Sequence, residues 1–221
     1  MKTILVLAAF ALAACGGGEK SGSAPAPASP APAAAAADAR PAIVVLGDSL
    51  SAGFGLDAGQ SFPDLLQVDL DRRGFRYRVV NMGISGDTTQ DGLARLSLAI
   101  AEKPAIVLLE LGANDGLRGV PIAVTQQNLA EMIEVFQKAG SRVVLAGMTL
   151  PPNYGPAFIA KFEAVYRDLA AKYKVTLIPF LLEGVGGDAR YMLRDGLHPN
   201  AAGARKIAEL VMKTLEPLLP R

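Results

Sequence analysis

The chain has 221 residues, with 22 Lys and Arg against 21 Asp and Glu, and a formal charge of +1 when its one histidine is neutral. This balance, with no basic stripe and no tryptophan platform, speaks against a nucleic-acid partner. One cysteine excludes an internal disulfide, and one cysteine with one histidine makes no zinc-type ligand cluster, so no metal and no cofactor are expected.

Met1 to Ala14 reads as an export signal, with Lys2 at the charged end and an apolar run from Ile4 to Ala14. That run is well short of the roughly 20 residues needed to span a bilayer as a helix. It ends in Leu12-Ala13-Ala14-Cys15, which resembles the bacterial lipoprotein box. The resemblance implies cleavage before Cys15 and a lipid on the new N-terminus; an ordinary secretory signal with a free Cys15 is the alternative. Loss of Met1 to Ala14 removes one lysine and brings the formal charge to zero. Residues 15–40 are then the lipidated cysteine and a tether of Gly, Ser, Ala and Pro, too poor in bulky apolar residues to offset chain entropy. Fully extended, about 25 such residues at roughly 3.3 Å each reach some 80 Å.

Residues 41–221 suit one domain with its own core. Ala42 to Leu46 is an apolar first strand, followed by Gly47-Asp48-Ser49-Leu50. Ser61-Phe62-Pro63 opens a helix, with Ser61 or Phe62 near the cap, Leu65, Leu66, Val68 and Leu70 on its apolar side and Arg72-Arg73-Gly74 at its end. Tyr77 to Asn81 is a second strand. From Thr88 or Thr89 a helix carries Leu93, Leu96 and Ile100 at helical spacing. Ala105 to Leu111, apolar except for Glu110, reads as a central parallel strand. A helix from Val124 to Ala139, stopped by Gly140, leads to a fourth strand at Arg142 to Ala146. The proline-rich loop Leu150 to Pro156 precedes a helix from Ala157 to Tyr173 and a short strand at Val175 to Ile178. Pro179 to Leu197 is mostly loop with room for one helical turn. Asn200 to Leu215 closes the domain, with Ile207, Leu210, Val211 and Leu215 facing the core.

Strand and helix alternate throughout, which predicts an α/β fold: a three-layer α/β/α, flavodoxin-like, doubly wound domain on a five-stranded parallel sheet of order 2-1-3-4-5. No Gly-x-Gly-x-x-Gly follows the first strand and no phosphate-loop lysine is present, which argues against a nucleotide cofactor. In that order ligands bind at the switch point between the first and third strands. Ser49 follows the first strand, Gly86 lies in the turn after the second, and Asn114 follows the third, so three polar, glycine-bearing loops meet on one rim. Each is also good turn chemistry in its own right.

A serine hydroxyl becomes a nucleophile only beside a base, usually a histidine held in one tautomer by a carboxylate. His198 is the only histidine, so an imidazole mechanism must use it. It stands in Asp195-Gly196-Leu197-His198-Pro199, where Pro199 keeps it out of the helical region. A turn at Gly196 can fold Asp195 back onto the Nδ1 side of the ring and leave Nε2 for Ser49. Oxyanion donors are available in the backbone N–H groups of Ser49 and Gly86 and the Asn114 amide.

Gly47-Asp48-Ser49-Leu50, Asn81 to Asp87, Gly112-Ala113-Asn114-Asp115 and Asp195-Gly196-Leu197-His198-Pro199 resemble, in order, the four blocks of the SGNH (GDSL) hydrolase family. Residues 47–53, 84–89, 114–119 and 153–155 are similar to its bacterial thioesterase I, lysophospholipase L1 and arylesterase branch. The resemblance implies an ester hydrolase with Ser49 as nucleophile, His198 as base then acid, and Asp195 as its partner. It further implies an oxyanion hole of Ser49, Gly86 and Asn114, with Gly83 as second choice for the block-two glycine. Asp48, Asp115, Asn153 and Tyr154 are expected to support loops or line the acyl site.

The expected activity is cleavage of carboxylic acyl esters (aryl esters, lysophospholipids, acyl thioesters) through an acyl-serine. Deacetylation of carbohydrate and a non-catalytic binding lipoprotein on the same fold are the alternatives. Partners are expected to be a small acyl ester or lipid and, through the anchor, a membrane, with the protein a monomer. The lipobox and tether depart from the branch, whose members are usually soluble periplasmic enzymes. They point to a lipoprotein facing the periplasm or cell surface. Gly16 after Cys15, rather than Asp, favours the outer membrane in a Gram-negative source.

Overall fold

The computed structural model describes residues 38–220; the export segment, Cys15 and the tether up to residue 37 lie outside the described residues. Five parallel strands form one sheet: β1 (Ala42–Gly47), β2 (Arg78–Gly83), β3 (Pro104–Glu110), β4 (Arg142–Ala146) and β5 (Thr176–Ile178). Their order is β2-β1-β3-β4-β5, as expected. β1 and β3 are in the middle, and their residues are buried on both faces apart from Ala105. The edge strand β2 is half-buried and β5 is short, as unpaired edges require.

Helices cover the sheet in two sets. α2 (Phe62–Arg72) packs on α8 (Ala201–Leu215), while α6 (Ile122–Lys138) packs on α3 (Thr89–Ala94) and on α7 (Pro156–Tyr173). Right-handed crossovers of a 2-1-3-4-5 sheet put the β1–β2 helix on one face and the later connections on the other. Ser61 caps α2 by accepting from the Asp64 N–H, and Phe62, Leu66 and Leu70 are its buried side. α8 starts after the cap Asn200, and Ile207, Val211 and Leu215 are fully buried; Leu210 is only half-buried.

Several expected elements differ in detail. β2 starts one residue later and runs two further, to Gly83. α6 starts two residues earlier, just after Pro121, and β5 omits Val175. The segment 179–197 is turns, including one helical turn closed by the Gly186 N–H on the Leu182 carbonyl at 2.8 Å, and its Met192 forms an antiparallel bridge with Pro199. Two short helices went unseen, α1 (Ser49–Ala52) and α5 (Ala113–Leu117), because four or five residues are too few to show a period.

The helix expected from Thr88 to Ile100 is two helices, α3 and α4 (Leu96–Ala101), broken at Arg95 (φ −112°, ψ 13°). Thr88 and Asp91 form a capping box at the start of α3. The break aims the Arg95 guanidinium at the sheet, where it donates to the carbonyls of Gly47 and Met82 and pairs with Asp87. Tertiary hydrogen bonding overrides helical periodicity here.

Candidate active site

β1 ends at Gly47, and α1 begins two residues later at Ser49. Asp48 is the cap of this one-turn helix, with Oδ1 accepting from the Leu50 N–H at 3.0 Å. The strand-turn-helix thereby sets Ser49 at the carboxyl edge of the sheet, beside the boundary between β1 and β3.

The other half of the site comes from the loop before α8. Asp195 folds back on the turn at Gly196: Oδ1 accepts from the backbone N–H of Leu197 at 2.9 Å and of His198 at 3.0 Å, and Oδ2 lies 2.8 Å from His198 Nδ1. Loss of hydration raises the Asp195 carboxyl, but the N–H groups of His198 and Leu197 and the imidazole outweigh it and hold it at about 2. Asp195 is therefore ionised, which fixes the proton of a neutral imidazole on Nδ1. The opposite nitrogen, Nε2, is 2.9 Å from Ser49 Oγ. The Phe54 ring rests on the imidazole, with centroids 4.4 Å apart and planes inclined by 35°.

Gly86 lies between β2 and α3 at φ +90°, a conformation that side chains rarely adopt, and its carbonyl accepts from Arg118 at 2.8 Å. Gly83 has a different job. A Cβ there would stand 2.3 Å from the Ala52 N, so Gly83 is where α1 presses on β2. Asn114, in the first turn of α5, donates from Nδ2 to Asp48 Oδ2 at 3.1 Å and to the Asp87 carbonyl at 3.0 Å. The structure thus ties Asn114 both to the turn carrying Ser49 and to the loop carrying Gly86.

Further groups hold these loops. Buried Asp115 accepts from the Thr89 N–H at 2.8 Å and from the Thr89 hydroxyl, anchoring the start of α3 to α5. The Tyr154 hydroxyl donates to the Leu117 carbonyl at 2.8 Å. Arg95 was not singled out in the sequence; its signal is an arginine flanked by apolar residues in an amphipathic stretch. Phe54 carries no signal beyond its nearness to Ser49. Burial pushes Asp48 up to about 6, with the Leu50 N–H, His198, Glu110 and Asn114 pulling the other way.

A cavity of about 480 Å³ opens beside Ser49 and His198, walled largely by apolar side chains including Leu117, Met148, Leu150, Phe180, Leu182 and Met192. Its walls come from the segments after β3, β4 and β5 and the loop before α8. A more open groove of about 760 Å³ between α6 and α7 is lined by Gln126, Glu131, Asp168 and Lys172 and contains none of the site residues. Among the described residues no group of three His, Cys, Asp or Glu side chains is placed to hold a metal ion.

Known proteins resemble this chain in sequence and in fold. Residues 45–206 match the model of the GDSL-like lipase/acylhydrolase family. The chain is 51% identical over 182 residues to the esterase TesA of Pseudomonas aeruginosa, covering 82% of this chain and 90% of that protein. It is 41% identical over 182 residues to the thioesterase 1/protease 1/lysophospholipase L1 of Escherichia coli, covering 82% and 86%. Among solved structures, TesA superposes with a TM-score of 0.78 at 51% identity, covering 80% of this chain and 99% of the other. A Pseudoalteromonas esterase, EstA, inhibited by monoethylphosphonate, superposes with a TM-score of 0.77 at 32% identity, covering 80% and 97%. The chain belongs to the GDSL-like lipase/acylhydrolase family.

Proposed function

We propose that Ser49, His198 and Asp195 carry the acyl-ester hydrolysis of this enzyme through an acyl-serine intermediate. The observation that carries the reading is the unbroken line from Asp195 Oδ2 to His198 Nδ1 at 2.8 Å and from Nε2 to Ser49 Oγ at 2.9 Å. His198 Nε2 takes the proton as Oγ attacks the ester carbonyl carbon, and ionised Asp195 stabilises the resulting imidazolium. The carbonyl oxygen becomes an oxyanion held by the N–H groups of Ser49 and Gly86 and by Asn114 Nδ2, which exchanges its bond to the Asp87 carbonyl for one to the oxyanion. His198 then protonates the leaving alkoxide. A water, deprotonated by the same nitrogen, attacks the acyl-serine and releases the acid.

The apolar cavity of about 480 Å³ favours an acyl chain longer than acetyl, because a two-carbon group would leave most of the apolar wall in water. This supports lipid-derived and aryl esters over acetylated carbohydrate. Acyl thioesters present the same carbonyl to Ser49 and are proposed as further substrates.

The Leu12-Ala13-Ala14-Cys15 segment supports export and lipidation at Cys15, with the domain acting as a monomer on a tether at a membrane facing the periplasm or cell surface. That membrane is the outer one in a Gram-negative source.

The test is turnover of p-nitrophenyl esters of increasing chain length. Ser49→Ala and His198→Ala are each expected to lose about 1,000-fold or more in kcat; turnover that survives either change would overturn the assignment. Intact mass of membrane-extracted protein, with and without Cys15→Ser, tests lipidation.

A further inference from the structure

The turn that carries Ser49 leans on an acid outside the catalytic line. Glu110 ends β3 as its only charged residue and is fully buried. Its Oε2 accepts from the Asp48 backbone N–H at 3.1 Å and from the Ser51 hydroxyl at 2.5 Å. Its Oε1 has no hydrogen-bond partner among the described residues. The space it fills exists because residue 47 has no side chain: a Cβ there would stand 2.3 Å from Glu110 Oε2 and 2.1 Å from Ser51 Oγ.

The Glu110 and Asp48 carboxyls are both buried, side by side at the same turn, and two such neighbouring acids share a buried site at low cost only when one of them carries a proton. Asp48 is the better anion. Its oxygens accept from the Leu50 N–H at 3.0 Å and from Asn114 Nδ2 at 3.1 Å. An ionised Glu110, fully buried with one oxygen lacking a donor among the described residues, would be a costly species, whereas a neutral acid costs less. Burial and then the negative Asp48 push the Glu110 carboxyl well above its usual range. The other ionisable groups around the pair are His198 across the site, Tyr166 of α7, Asp115 of α5 and Arg95 at the Gly47 carbonyl.

We propose that Glu110 is a positioning residue of the ester-cleaving site: lodged as a neutral acid in the space left by Gly47, it lies beside the Asp48 carboxylate, and together they hold the Ser49 turn and the Asn114 amide in one arrangement. Glu110 touches no reacting atom. It acts through two neighbours, gripping the turn by the Asp48 N–H and the Ser51 hydroxyl and leaving Asp48 charged to orient Asn114. The proposal rests on Ser49 and Asn114 acting as described above.

The test uses the purified enzyme, a p-nitrophenyl ester and infrared difference spectroscopy at slightly alkaline pH. Glu110→Gln, which mimics the neutral acid, is expected to keep kcat within about threefold, and Glu110→Ala to lower kcat by about 100-fold with KM within about twofold. A protonated-carboxyl stretching band that shifts in deuterium oxide is expected in the native enzyme and absent from Glu110→Gln. If Glu110→Ala does not fold, Ser51→Ala replaces it, with kcat lower by about tenfold and KM unchanged.

The proposal is overturned if Glu110→Gln falls as far as Glu110→Ala, if the alanine variant keeps native kcat, if the loss lies in KM, or if the band is missing from the native enzyme or persists in the glutamine variant. Native turnover in Ser49→Ala would instead overturn the underlying reading of the site. An inactive Ser49→Ala beside any of the former results overturns only the role of Glu110.

Discussion

Asp195 grips His198 at two places: Oδ2 lies 2.8 Å from the ring Nδ1, and Oδ1 lies 3.0 Å from the backbone N–H of the same residue. One carboxylate therefore fixes the tautomer of the imidazole and the turn that presents it. Asp195→Asn is expected to lower kcat by about 100- to 10,000-fold with little change in KM.

The same grip has a pH signature in stability. Asp195 is held at about 2 in the folded protein against an ordinary 3.8, so its contribution is present above the ordinary value and is lost as pH falls from there through about 2. The melting temperatures of the native protein and Asp195→Asn should converge across that window. The carboxylate is more than a third exposed, so the difference being lost is modest. A gap that stays constant down to the lower limit would contradict the assignment.

Arg95 joins the ends of β1 and β2 to the Gly86 loop, donating to Gly47 O and Asp87 Oδ2 at 2.7 Å each and to Met82 O. Its side chain and that of Asp87 are only 11% and 13% exposed, so removing one partner strands the other. Arg95→Met is expected to cost about 3 kcal/mol in urea unfolding and to lower kcat by about tenfold through a displaced Gly86 loop. Unchanged kcat in a destabilised variant would confine Arg95 to the fold.

Asn114 should separate kinetically from the packing glycine, Gly83. Asn114→Ala is expected to lose about 100- to 1,000-fold in kcat with KM nearly unchanged. Gly83→Ala forces a methyl group against the α1 backbone, 2.3 Å from Ala52 N, so its damage should appear in the unfolding midpoint as well as in rate.

Chain-length preference tests the cavity. Leu182 lines its wall, and Leu182→Trp should lower kcat/KM for a decanoyl ester by about tenfold or more while leaving an acetyl ester within about twofold. An equal loss for both esters would place the acyl chain elsewhere.

The layered fold and strand order were legible because apolar five- to seven-residue runs alternating with helical periods leave few right-handed solutions. The Asp195–His198 turn was legible for a local reason: only Gly196 and Leu197 separate the groups that meet. Less legible was what crosses the sequence. Glu110 stood out as a charge in an apolar strand, but its partners Asp48 and Ser51 are 62 and 59 residues away, and no period announces such a contact. The sequence reads loops 87–91, 115–121 and 150–157 as the pocket walls; Leu117 and Leu150 to Pro152 do line the cavity, 87–91 does not, and residues from 180–187 and 192–198 complete it. Segment 180–187 carries no motif, and its place follows from where β5 ends.

Covalent trapping tests the central claim most directly. The enzyme is incubated with a p-nitrophenyl alkylphosphonate, digested, and the modified peptide sequenced by mass spectrometry. A single adduct on Ser49, formed stoichiometrically and lost in Ser49→Ala and His198→Ala, is the predicted result. An adduct on another residue, or phosphonylation of Ser49 that proceeds at the native rate without His198, would contradict it.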